Sequence, residues 1–104
     1  MNNEIEDLKA LAEQGNAEVQ YKLGLYYDYG IGVKQDDKQA VYWYKKAAEQ
    51  GHAEAQFSLG RAYGWGLGVQ QNDRQEFYWY TKAAEQGHVL SQKLISSGFF
   101  RCSL

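Results

Sequence analysis

Small and apolar residues recur along the chain at helical spacing. Ala17, Gln20, Leu23, Gly24 and Tyr27 fall on one face of a period of about 3.6 residues and predict a helix over 17–29. Ala53, Gln56, Leu59, Gly60 and Tyr63 repeat that face and predict a second helix of this A type over 53–65. Each is followed by a Gly-x-Gly turn, Gly30-Ile31-Gly32-Val33 and Gly66-Leu67-Gly68-Val69. Closely spaced glycines can take positive φ, so the chain can leave the helix and double back.

A second type of helix, B, begins after each turn. Asp36 and Asn72 are good N-cap residues, and Gln39 and Gln75 three positions on complete the pattern of a capping box. Ala40, Trp43, Tyr44, Ala47 and Ala48 mark the buried face of the first B helix. In the second, Trp79, Tyr80, Ala83 and Ala84 correspond. Glu76 replaces the small residue at the start of that face, which suggests an edge position. Gly51 and Gly87 stand where a C-terminal cap glycine belongs.

These elements are copies of one unit. Ala12-Glu13-Gln14-Gly15 recurs at 48–51 and 84–87, a period of 36 residues, and 21 of 36 positions are identical when 12–47 is laid on 48–83 without a gap. The ends read as half-units. Residues 3–14 match a B helix, with Leu8, Leu11 and Ala12 as its apolar face and Asn3 and Glu6 as a capping pair. Residues 88–97 match an A helix through Gln92, after which Ser96 and Phe99 replace the glycine and tyrosine. The expected fold is all-α: about six short antiparallel helices in one repeat domain over 1–104. It divides into a half-unit (3–15), two repeats (16–51 and 52–87) and a decayed half-unit with tail (88–104).

A repeat of this kind cannot bury its apolar face alone and must stack on its neighbours. Gly24 and Gly60 leave room for a facing helix, and the Ala pairs 47–48 and 83–84 let one helix approach the next. Trp43 and Trp79 are large enough to reach between hairpins, and each contributes about 2–3 kcal/mol when buried. Gln20, Gln56 and Gln92 lie on inward faces and need hydrogen-bond partners, most simply backbone groups at a hairpin junction.

Composition narrows the function. The net charge is −2, from 11 basic and 13 acidic residues. That interleaved balance is no footprint for nucleic acid or an anionic membrane. Cys102 is the single cysteine, so no intrachain disulfide is expected. The polar, acidic start Met1-Asn2-Asn3-Glu4 is no secretory signal, and no apolar run reaches the length of a membrane span. A cytoplasmic, reducing location is the expectation. Aromatic residues reach 15%, with nine Tyr and three Trp beside eleven Gly and no Pro.

The run Ala17, Gln20, Leu23, Gly24, Tyr27, Gly30, Gly32, Val33, Asp36, Ala40, Trp43, Tyr44, Ala47, Ala48 and Gly51, repeated almost throughout in the second unit, resembles the Sel-one-like repeat (SLR) family. That family is a relative of the tetratricopeptide repeat. The resemblance covers about residues 3–96. It implies a right-handed superhelix of antiparallel helix pairs and a scaffold or adaptor role in signalling or assembly. Some relatives are disulfide-stapled and exported, and this chain lacks their paired cysteines.

The A helices of such an array line a concave face. On the wheel, the side opposite the packed residues carries Glu18, Tyr21, Lys22, Leu25 and Tyr29 in the first unit, and Glu54, Phe57, Ser58, Arg61 and Trp65 in the second. All but Ser58 are candidate partner-binding residues, aromatic anchors with charged orienters for a protein or peptide. Tyr21 and Phe57 can equally pack between neighbouring A helices. Tyr29 and Trp65 can equally cover the adjoining loop. Glu18 and Glu54 can equally be first-turn helix charges.

Other constellations carry less. His52 and His88 occupy equivalent turns but lack a third metal ligand. Cys102 lies at the chain end, and the Gly30-x-Gly32 turn lacks the Lys-Ser/Thr pair of a phosphate loop. No catalytic residue, metal or cofactor is expected. The alternatives to an adaptor are an inhibitor, such as an immunity protein against a toxin, and a small hydrolase. Phe99-Phe100 either folds over the last hairpin or forms an adhesive end that would support a homodimer.

Overall fold

The structure, a computed structural model, describes residues 4–97. Phe99, Phe100 and Cys102 lie outside them. The described residues form six helices and no strand: α1 (Glu4–Glu13), α2 (Ala17–Tyr29), α3 (Asp37–Glu49), α4 (Ala53–Trp65), α5 (Asp73–Glu85) and α6 (Val89–Ser96). α2, α4 and α6 are A helices, and α1, α3 and α5 are B helices. Each packs on the next in chain order, giving an α-α solenoid.

Local chemistry sets the helix ends. Gly30 and Gly66 close α2 and α4 in the left-handed region, φ 69° and 70°. Asp36 and Asn72 cap α3 and α5 by accepting from backbone N–H groups at 39 and 75. The capping box is only half formed. The Asp36 and Asn72 N–H groups donate to the Tyr27 and Tyr63 carbonyls, so Gln39 and Gln75 are not needed for them. Gln75 instead accepts from the Trp79 indole N–H at 3.2 Å.

The core follows the repeated residues. Leu23 and Leu59 are fully buried, and so are Ala47, Ala48 and Ala83, while Ala84 is half-buried. Gly24 lies against the Tyr44 ring: a Cβ there would stand 2.6 Å from it. Gly60 meets Tyr80 in the same way, at 2.7 Å. Trp43 packs with Ala12 and Leu23 of the preceding helices, and Trp79 joins the cluster of Ala48, Ala55 and Leu59. Both indoles therefore bridge hairpins.

Glutamines stitch the units together. Gln20 donates to the Ala12 carbonyl, Gln56 to Ala48 and Gln92 to Ala84, at 2.9–3.1 Å. Gln50 then reaches back one unit to the Gly15 carbonyl and the Gln20 side-chain oxygen, and Gln86 does the same to Gly51 and Gln56. The buried amides of Gln20 and Gln56 are thus satisfied across a junction, and the exposed Gln50, Gln86 and Gln92 add bonds at its rim.

Three expectations are corrected. Glu76 is not at an edge but 2% exposed, its carboxylate against Gly64, where a side chain would collide with it. Leu11 is 44% exposed, because the side of α1 away from α2 has no neighbouring helix among the described residues. Ser58 is buried and hydrogen-bonds the Tyr21 phenol.

Candidate partner-binding face

The residues of the A-helix face differ in how far they are buried and in what they touch. Glu18 and Glu54 are exposed and contact histidines of the next unit. His52 caps α4 by accepting the Ala55 N–H at its Nδ1, which leaves Nε2 to carry the proton and donate to Glu18 at 2.9 Å. His88 caps α6 through Ser91 and contacts Glu54 at 3.2 Å. The histidines are inter-unit ties, a role missed in the sequence. Asn16, a favoured N-cap residue in the same position of the first unit, was the signal.

Tyr21 lies 4.8 Å from the His52 ring and 5.9 Å from Tyr44. Phe57 stacks on Tyr80 and His88 at 5.4 and 4.9 Å. Both are half-buried, and Leu25 packs against the core beside them. Burial, then the charge of Glu54, raises the Tyr21 pKa above its ordinary value. Lys22 is exposed, its ammonium 5.9 Å from the Tyr26 ring.

At the far end of the face, Asp28 on α2 accepts from the Tyr44 hydroxyl at 2.7 Å and from Arg61 on α4 at 3.0 Å. Burial pushes the Tyr44 phenol far above the usual tyrosine range, and its bond to Asp28 adds to the shift. Burial works against the Arg61 charge, but a hydrogen bond with Tyr29 and the Asp28 carboxylate outweigh it and raise its pKa. Arg61 is thereby held beside Tyr29. Tyr29 and Trp65, at one register in successive units, are each 61% exposed. The cavity behind them, lined by Asp28, Tyr44, Ser58 and Arg61 among others, measures about 10 Å³, too small for an organic ligand. Among the described residues no three His, Cys, Asp or Glu side chains group to hold a metal ion, and no helix is long and apolar enough to cross a membrane.

A second exposed face, on the B helices, was not singled out in the sequence. Tyr42, Phe77 and Tyr78 stand out from α3 and α5. Tyr42 and Tyr78 directly precede Trp43 and Trp79, so the helical period turns them away from the core.

A fold built of two such units defines a class, the helical-repeat solenoids that stack hairpins around a shared seam. Within that class the model of the Sel1 repeat matches residues 17–52 and 53–88, and the chain belongs to the Sel1 repeat family. Solved structures agree. A Sel1 repeat protein from Oxalobacter formigenes is 36% identical with a TM-score of 0.84, over 86% of this chain and 26% of that one. A protective antigen of uropathogenic Escherichia coli displaying an SLR fold is 32% identical with a TM-score of 0.71, over 95% of this chain and 28% of that one. Helicobacter pylori cysteine rich protein B is 25% identical with a TM-score of 0.83, over 90% and 72%. The chain therefore spans little more than a quarter of the length of the first two. Comparison with curated proteins gives no match.

Proposed function

We propose that the chain is a protein-binding scaffold whose A-helix face receives a peptide or protein segment across Tyr29 and Trp65. One observation carries this reading. The large rings that pack, Trp43, Tyr44, Trp79 and Tyr80, are buried, whereas Tyr29 and Trp65 are 61% exposed at matching positions of adjacent A helices. Exposed aromatic side chains of this kind, with an arginine between them, supply the hot spots of protein interfaces. Arg61, held by Asp28 and Tyr29, is pre-oriented and loses little rotamer freedom on binding. Lys22 adds a rim charge. Tyr21, Leu25 and Phe57 shape the floor through their internal contacts, and Glu18 and Glu54, exposed and in contact with His52 and His88, flank it.

The test is affinity capture from a lysate of the source cells with the wild type and a Tyr29→Ala/Trp65→Ala variant. The expected outcome is a partner retained by the wild type and lost from the variant, with both proteins equally folded. Equal recovery of every partner by both would reject the face.

A further inference from the structure

Charge and exposure single out a second surface. The exposed residues of α3 and α5 include five basic and two acidic side chains, although the whole chain carries −2. Within this basic face two exposed pairs recur one unit apart. Lys46 lies 5.2 Å from the Tyr42 ring and Lys82 5.7 Å from the Tyr78 ring. Tyr42 and Tyr78 in turn stand edge-on to Trp43 and Trp79, at 4.9 Å. Buried positions recur because the stack needs them, but these four side chains point outward. The buried indoles hold the outer rings in place, so little ordering entropy remains to be lost on contact.

Depressions flank the Tyr78–Lys82 ridge. One, of about 270 Å³, opens between the end of α3 and α5 and is lined by Glu49, Gln56, Tyr78, Trp79 and Lys82 among others. The other, of about 290 Å³, is lined by Phe77, Tyr78, Thr81, Lys82 and Glu85. In it the Thr81 hydroxyl has no hydrogen-bond partner among the described residues.

We propose that this outer B-helix face docks an acidic peptide segment bearing apolar side chains. Its carboxylates pair with Lys46 and Lys82, and its apolar groups enter the depressions beside Tyr78. A protein segment fits better than nucleic acid, because Glu49 and Glu85 break the face into separate positive spots, which spaced carboxylates can meet with apolar groups between them and a continuous line of phosphates cannot. The inference is independent of the A-helix reading, since none of the residues is shared.

The experiment is fluorescence anisotropy with a fluorescein-labelled peptide alternating Glu with Phe and Leu. A peptide with Lys in place of Glu and a single-stranded oligouridine serve as comparisons. The acidic peptide is expected to bind with a dissociation constant of roughly 100 μM or tighter. Lys46→Glu/Lys82→Glu should weaken it at least about tenfold, as should a rise from about 0.05 M to about 0.5 M salt. Tyr78→Ala should weaken it as well, and Tyr29→Ala/Trp65→Ala should leave it unchanged. No binding up to about 1 mM would overturn the proposal. So would equal binding by the charge-reversed variant, loss of binding in the Tyr29→Ala/Trp65→Ala variant, or tighter binding of the Lys peptide or the oligouridine.

Discussion

In the first full unit the carboxylate packed inside the hairpin is Asp28, on the A helix, which lines one small cavity with Ala40 of the B helix. In the second unit the positions are exchanged: Glu76 on the B helix faces Gly64 on the A helix. The longer acid comes from the opposite helix, and glycine clears the space it needs. The hairpin thus keeps one acid and one small residue at this level and allows them to trade places. The trade has a consequence for stacking. Asp28, on an A helix, is within reach of Arg61 on the next A helix and ties the two together.

The strongest way to break this comparison is to mix the two solutions. Ala40→Glu alone forces a second carboxylate against Asp28 and is expected to cost on the order of 3 kcal/mol in urea unfolding. Asp28→Gly alone removes the carboxylate that Arg61 and Tyr44 both bond and adds a helical glycine. The double variant rebuilds the arrangement of the second unit in the first, and a coupling of roughly 1–3 kcal/mol in its favour is expected. Additive losses would mean that the two units do not share one design.

A smaller effect comes from Tyr44. Its pKa is raised in the folded state, by burial first and by Asp28 second, so the unfolded chain releases this proton at lower pH. The stabilisation is complete below the unfolded value of about 10 and is lost as pH rises beyond it, by up to about 1.4 kcal/mol per pH unit. Urea unfolding between about pH 9 and about pH 11 should show the decline, with a shallower slope for Tyr44→Phe. An unchanged slope would detach Tyr44 from the alkaline loss.

The smallest effect concerns the glutamine stitches that the units have in common. Gln50→Ala and Gln86→Ala should each lower stability by about 0.5–1.5 kcal/mol, and by similar amounts, because both make the same pair of bonds one unit apart. Calorimetry on the two variants checks this.

How far the structure could be read in advance depended on whether a residue acts within its own period. The bounds 17–29 and 53–65, the glycine–tyrosine seam and the inward glutamines follow from spacing and duplication, since the same local pattern appears twice. Glu76 was misplaced because its compensation, Gly64, lies on another helix, and one chain does not reveal such a pairing. The histidine caps escaped because their acceptor role depends on backbone geometry at a turn. On the candidate face, the wheel put Glu18, Tyr21, Leu25, Tyr29, Phe57, Arg61 and Trp65 in one group, but it could not separate the half-buried Tyr21, Leu25 and Phe57 from Tyr29 and Trp65, which are mostly exposed.

The claim beneath both proposed surfaces is that packing and contact are assigned to different rings of the same unit. Trp79 and Trp65, 8% and 61% exposed, provide the comparison within one hairpin. Urea unfolding of the two alanine variants measures it directly. Trp79→Ala should lose roughly 3–5 kcal/mol, and Trp65→Ala should stay within about 0.5 kcal/mol of the wild type. Equal losses, or the reverse order, would contradict the division.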